Sequence, residues 1–170
     1  MGSLPVTETA EDALYRSAMD RALYWLKFRA RAAKEMAARL AEKGFPPPVV
    51  DRVVARLAEL KLLDDAALAR GLTEAHRRAG RGDQRVRREL LCRGLAKDDV
   101  ETALAVPGAD SVDDRMRRSL DKKKNSFARL DARTAERRAF GALARQGFDA
   151  DDIRRLLRTY FKGDDNGEDL

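Results

Sequence analysis

The feature that most constrains this chain is a pattern that occurs three times. Arg39-Leu40-Ala41-Glu42-Lys43-Gly44-Phe45, Glu89-Leu90-Leu91-Cys92-Arg93-Gly94-Leu95 and Ala142-Leu143-Ala144-Arg145-Gln146-Gly147-Phe148 each place Leu four residues before a Gly and an apolar residue after it. The glycines lie 50 and 53 residues apart. Six residues past each Gly stand Val50, Val100 and Ile153; nine past stand Val53, Ala103 and Leu156; ten past stand Val54, Leu104 and Leu157. Those offsets trace one face of a helix, which Leu57 and Tyr160 extend in the first and third copies. A Gly at this point suits the residue just past a helix end, where a positive φ is needed. Pro47 and Asp149 suit the start of the helix that follows. A period near 50 residues predicts a tandem repeat, whose units are too small to bury a core alone and therefore stack.

Composition decides what the repeats are made of. Among the 170 residues are 28 Ala, 21 Leu and 26 Arg, against 16 Val, Ile and Thr together. That balance favours helices over strands. Two helical stretches precede each Gly: about 11–28 and 33–43, then 64–78 and 83–93, then 111–128 and a helix capped by Asp131. Asp64, Asp83 and Ser111 are placed as N-caps, while the helix from Ala33 has no good cap residue. The fold class is therefore all-α, nine helices in three tandem three-helix repeats. The units are 1–63, 64–106 and 110–161, followed by an acidic flexible tail, 162–170. Trp25, Tyr24 and Leu26 are read as core.

One Cys excludes an internal disulfide, and one His excludes any site needing two imidazoles. No metal ligand set, phosphate loop or nucleophile elbow is present, so no cofactor and no enzymatic activity are expected. His76 reads as a surface or partner-contact residue. No apolar run approaches a membrane span of about 18 residues, and no secretory signal precedes Asp12, so a cytoplasmic protein, expected to be monomeric, follows.

The net charge of +6 is unevenly spread. From Arg70 to Arg93 eight Arg face three acids, and from Arg115 to Arg145 eleven Lys and Arg face three acids, while residues 1–20 carry a net −3. Such stretches seek a polyanion. Around Gly80 and Gly82 stand Arg77, Arg78, Arg81 and Arg85, before a helix N-terminus whose N–H groups suit phosphate. With Arg70, Arg88 and the run Lys122-Lys123-Lys124, these are the candidate contacts. Read alone, they fit a stand-alone helix-turn-helix-like DNA-binding protein.

Three spaced segments carry a resemblance. Leu60-Lys61-Leu62-Leu63-Asp64-Asp65-Ala66-Ala67-Leu68-Ala69 resembles the "LLDD…FA" signature of the RecX regulators of the RecA recombinase. Gly82-Asp83-Gln84-Arg85-Val86-Arg87-Arg88-Glu89-Leu90-Leu91-Cys92-Arg93-Gly94-Leu95 resembles that family's "G…RI…EL…RGI" segment, and 33–40 with Lys43-Gly44-Phe45 fits its opening. Leu68 replaces the usual Phe, and Asp83 stands where Pro is common. The likeness spans about 22–161. It implies three helical repeats in an elongated, curved arrangement, no catalysis, and a partner in RecA and the RecA–single-stranded DNA filament. ATPase, strand-exchange and LexA-coprotease activities would be lowered, as part of DNA repair and the SOS response. It also implies binding to single- and double-stranded DNA. Under it, Arg70, Arg77, Arg78, Arg81, Arg85, Arg88, Lys122, Lys123 and Lys124 become candidate RecA or DNA contacts.

Overall fold

The computed structural model describes residues 9–161; the expected acidic tail, 162–170, lies outside them. The described residues are all-helical. The first repeat holds α1 (Ala10–Leu26), α2 (Ala33–Glu42) and α3 (Pro47–Glu59). The second holds α4 (Asp65–Arg78), α5 (Asp83–Cys92) and α6 (Lys97–Ala105). The third holds α7 (Val112–Asp121), α8 (Lys124–Phe127), α9 (Ala132–Gln146) and α10 (Ala150–Tyr160).

The recurring Leu and apolar residue have a common cause. Gly44, Gly94 and Gly147 take φ of 85°, 88° and 88°. In each case the N–H of the next residue (Phe45, Leu95, Phe148) donates to the carbonyl of the Leu (Leu40, Leu90, Leu143) at 3.3 Å. This closes the helix end by a 6→1 bond, and the apolar pair it brings together seals the turn. Leu40, Leu90 and Leu143 are fully buried. The downstream face is buried too: Val50, Val53, Val100, Ala103, Ile153 and Leu156 are at most 4 % exposed.

Each repeat has its own core. Trp25, Met36, Leu40, Val53 and Leu57 gather in the first. Val86, Leu90, Leu95 and Val100 gather in the second, joined by Ala32 of the first. Met116, Leu120, Phe127, Leu143 and Ile153 gather in the third. Trp25 is core as expected, with Arg39 over its ring at 4.7 Å. Tyr24 is not: it is exposed and stacks edge-on against Phe28.

Two local expectations fail. The helix expected over 111–128 is two, making ten helices among the described residues rather than the nine expected. After Leu120 the run Asp121-Lys122-Lys123-Lys124-Asn125-Ser126 offers no apolar side chain to the core, and its three ammonium groups repel one another. The helix unwinds at Lys122 and Lys123 and restarts as α8, which buries Phe127. Asp64, Ser111, Asp131 and Asp149 do cap their helices. Asp83 does not; Gly82 holds the N-cap position and the Asp83 carboxylate is engaged elsewhere.

Candidate functional site

The two basic stretches of the sequence meet where the second repeat joins the third. The junction is made by backbone. Gly82 N–H donates to Gln146 O at 2.9 Å, and Gln84 N–H to Gly147 O at 3.0 Å. A Cβ on Gly82 would stand 2.2 Å from the Gly147 carbonyl carbon, and one on Gly147 would stand 2.4 Å from Arg85 Cβ. Gly82 thus lets a helix end approach, not a ligand. The α5 N-terminus, expected to be open to phosphate, is covered by the end of α9.

Beneath the junction lies an ion network. Arg77 Nε and Nη2 donate to the two oxygens of Asp83 at 3.0 and 2.7 Å. The same guanidinium donates to Leu104 O and Val106 O, closing the end of α6. Arg115 reaches across from α7 to Arg81 O at 2.9 Å and to Asp83 at 3.2 Å. Burial pushes the Asp83 carboxyl up, but the hydrogen bonds and charges of Arg77 and Arg115 outweigh it and hold the carboxyl below the usual range. Arg77 and Arg115 are only 8 % and 3 % exposed. Arg77 is therefore a structural residue and leaves the set of candidate contacts.

Above the junction opens a cleft of about 390 Å³. Its walls carry Arg78, Arg81 and Arg85 from the second repeat and Arg115, Arg118, Lys122 and Lys123 from the third. No carboxylate lines it. Glu89 stands behind, bonded to Arg81 and, at 2.8 Å, to Arg85, and so fixes both side chains. His76 lies half-buried between Arg81 and Glu89. Burial, then the Arg81 charge, lower its pKa, so the imidazole is neutral at pH 7. Positive groups converging on a partly desolvated hollow focus potential and bind polyanions.

Of the residues picked from sequence, the cleft unites Arg78, Arg81, Arg85, Lys122 and Lys123. Arg70 lines a neighbouring hollow of about 330 Å³ with Thr73, Arg115 and Asp110. Arg88 is exposed on α5 away from the cleft, and Lys124 sits beside Phe127 and Tyr160. Arg118 was missed, although it stands four residues before Lys122 and thus shares its helix face.

Comparison with known proteins agrees with this architecture. A family model described as "RecX, first three-helix domain" matches residues 18–57, and one described as "RecX, second three-helix domain" matches 64–104. "Regulatory protein RecX" of Ectopseudomonas mendocina is 37% identical over 147 residues, covering 86% of this chain and 93% of its own. The protein of that name from Mycobacterium avium is 34% identical over 149 residues, covering 86% of each chain. The crystal structure of RecX from Lactobacillus salivarius superposes with a TM-score of 0.76 at 18% identity, over 86% of this chain and 96% of that one. A second crystal structure, of regulatory protein RecX, gives 0.75 at 20% identity over 88% and 73%. No described helix is long and apolar enough to cross a membrane.

Proposed function

Because the chain belongs to the RecX family, we propose that it is a non-catalytic regulator, acting in the cytoplasm as a monomer, that binds RecA and the RecA–single-stranded DNA filament. It modulates, chiefly by inhibiting, ATPase, strand-exchange and coprotease activity in DNA repair and the SOS response. The repeats 1–63, 64–106 and 110–161 are its working units, and units joined end to end offer the extended surface a filament groove requires. The basic cleft is the contact with DNA phosphates or with acidic RecA side chains. The observation that carries this reading is the convergence of two sequence-distant basic stretches on one cleft that no carboxylate lines.

Changing Arg78, Arg85, Lys122 and Lys123 together to Ala removes four of those cations and leaves Arg77, Arg115 and Asp83 to hold the junction. The concentration of protein that halves RecA ATPase on single-stranded DNA should rise at least about tenfold, which corresponds to about 1.4 kcal/mol. Unchanged inhibition by a variant with native circular dichroism refutes the cleft as the contact.

A further inference from the structure

The end of α1 carries an aromatic pair that the fold leaves in water. Among the described large apolar side chains Phe28 and Tyr24 are the most exposed, at 70% and 57%. Their rings meet edge to face, with centroids 5.1 Å apart and planes at 71°. Each side chain thereby holds the other in place, and each ring keeps at least one face clear of its partner. Trp25, between them in sequence, is buried. Adjoining rings left exposed mark an interaction site, as scattered apolar residues do not. The surroundings are cationic. Arg21 and Lys27 stand three residues to either side of Tyr24 and so share its helix surface, and Lys27 and Arg29 flank Phe28. Arg21 and Lys27 are exposed and enter no ion pair among the described residues. Glu35 is shared by Arg29 and Arg31. From Asp20 to Glu35 five cations face two carboxylates.

We propose that Tyr24 and Phe28 form a stacking platform for the bases of a single-stranded nucleic acid, whose phosphates Arg21 and Lys27 hold. Aromatic faces beside free cations are what such a strand requires, because every nucleotide brings a flat ring and a negative charge together. A duplex does not fit, since its bases are already stacked and present only their edges in the grooves. An apolar protein anchor fits less well, because covering the rings would also desolvate the unpaired Arg21 and Lys27 heads, which a nucleotide pairs with its own phosphate. The basic cleft has no aromatic residue in its walls, so it can take phosphates but offers the bases no face. The platform supplies that missing contact from the first repeat. The proposal rests on single-stranded nucleic acid being a partner; it does not depend on RecA or on the cleft.

The test measures binding of the full chain, without partner, to labelled oligo-dT and to an abasic strand of the same length and charge, by fluorescence anisotropy. The wild type should bind oligo-dT about tenfold more tightly than the abasic strand, the order expected for one stacked base. Tyr24→Ala with Phe28→Ala should lose that tenfold on oligo-dT, leave the abasic strand within about twofold, and keep the dependence of affinity on salt, since no cation is removed. Tyr24→Leu with Phe28→Leu keeps apolar bulk and guards against a folding defect; it should lose as much, whereas Tyr24→Trp with Phe28→Trp should bind as the wild type does. The cleft variant (Arg78, Arg85, Lys122 and Lys123 to Ala) should weaken both strands alike, so failure of one site shows apart from failure of the other. Equal affinity of the wild type for the two strands, failure to bind either, a Leu variant that binds like the wild type, or an Ala variant that weakens both strands equally overturns the proposal. A loss confined to inhibition of RecA ATPase, with oligo-dT binding intact, also overturns it and makes the rings a protein contact.

Discussion

Asp83 shows how one side chain can be claimed by two roles. Local sequence assigns it to capping α5, since it opens a helix after a Gly-containing loop. Two buried guanidinium groups, one from Arg115 32 residues away, claim it instead. A carboxylate facing two desolvated cations is worth more to the fold than one helix-end N–H bond, because an unpaired buried charge is costly. Asp83→Asn should therefore destabilise the protein by about 3 kcal/mol in urea denaturation at pH 7, the low end for breaking a buried pair, since Asp83 itself remains 32% exposed. The pH dependence has a definite sign. A carboxyl held lower in the folded than in the unfolded state stabilises above its unfolded pKa of about 3.9, and loses that contribution as pH falls through the folded value. The gap between wild type and Asp83→Asn should hold from pH 7 to about 5 and close below about 4. A gap that stays constant down to pH 3 would remove Asp83 ionisation from the account. At this scale Arg78, Arg81 and Arg85 were legible as candidate contacts because they are near each other in sequence. Arg77 was indistinguishable from them, since its burial depends on Leu104 and Val106, which local sequence does not place beside it.

At the scale of helices, the ends decide how much the sequence reveals. The 6→1 closures at Gly44, Gly94 and Gly147 are local, so a Leu-x-x-x-Gly-apolar pattern announces them. The start of α2 is not local. Ala32 occupies its N-cap position and has no side-chain acceptor, and the sequence shows only the lack. The structure fills it from the next repeat: Asp65, the first residue of α4, accepts the Ala33 N–H at 2.9 Å. One carboxylate thus serves as a first-turn acid on its own helix and as the cap of another. Asp65→Ala should cost about 1 kcal/mol, the ordinary worth of an N-cap. Asp65→Asn, which keeps an accepting Oδ1, should recover most of that loss in the same denaturation experiment. An Asn variant as unstable as the Ala variant would mean that charge, not capping, is what Asp65 supplies. The break between α7 and α8 had its signal in the sequence as well, in the apolar gap from Asp121 to Ser126. A helical period followed across that gap misses it because the Lys residues are good helix formers.

Across the whole molecule, the first repeat lends Ala32 to the core of the second, whereas the second and third join through backbone and ion-pair contacts between separate cores, and the cleft exists only because those two meet at a fixed angle. That angle is set by Gly82 and Gly147, whose backbones touch. The glycines that close the three repeats give a matched pair of tests. Gly44 and Gly147 have nearly the same φ, 85° and 88°. An Ala at either pays the left-handed backbone cost of about 1–2 kcal/mol. At Gly44 the added methyl meets nothing within 4 Å, whereas at Gly147 it meets Arg85 N at 2.5 Å and Arg85 Cβ at 2.4 Å. Backbone cannot yield as a flexible side chain can, so Gly147→Ala must push α5 away from the end of α9. That separates Arg81 and Arg85 from Lys122 and Lys123. The variant should keep native helicity by circular dichroism, because no core is touched. It should nevertheless bind a polyanion such as oligo-dT several-fold more weakly than Gly44→Ala, which should match wild type. No charge differs among the three proteins, so such a difference isolates geometry from electrostatics. Equal affinity for the two variants would mean that the cations act as independent surface charges, and that the meeting of the repeats does not build the cleft.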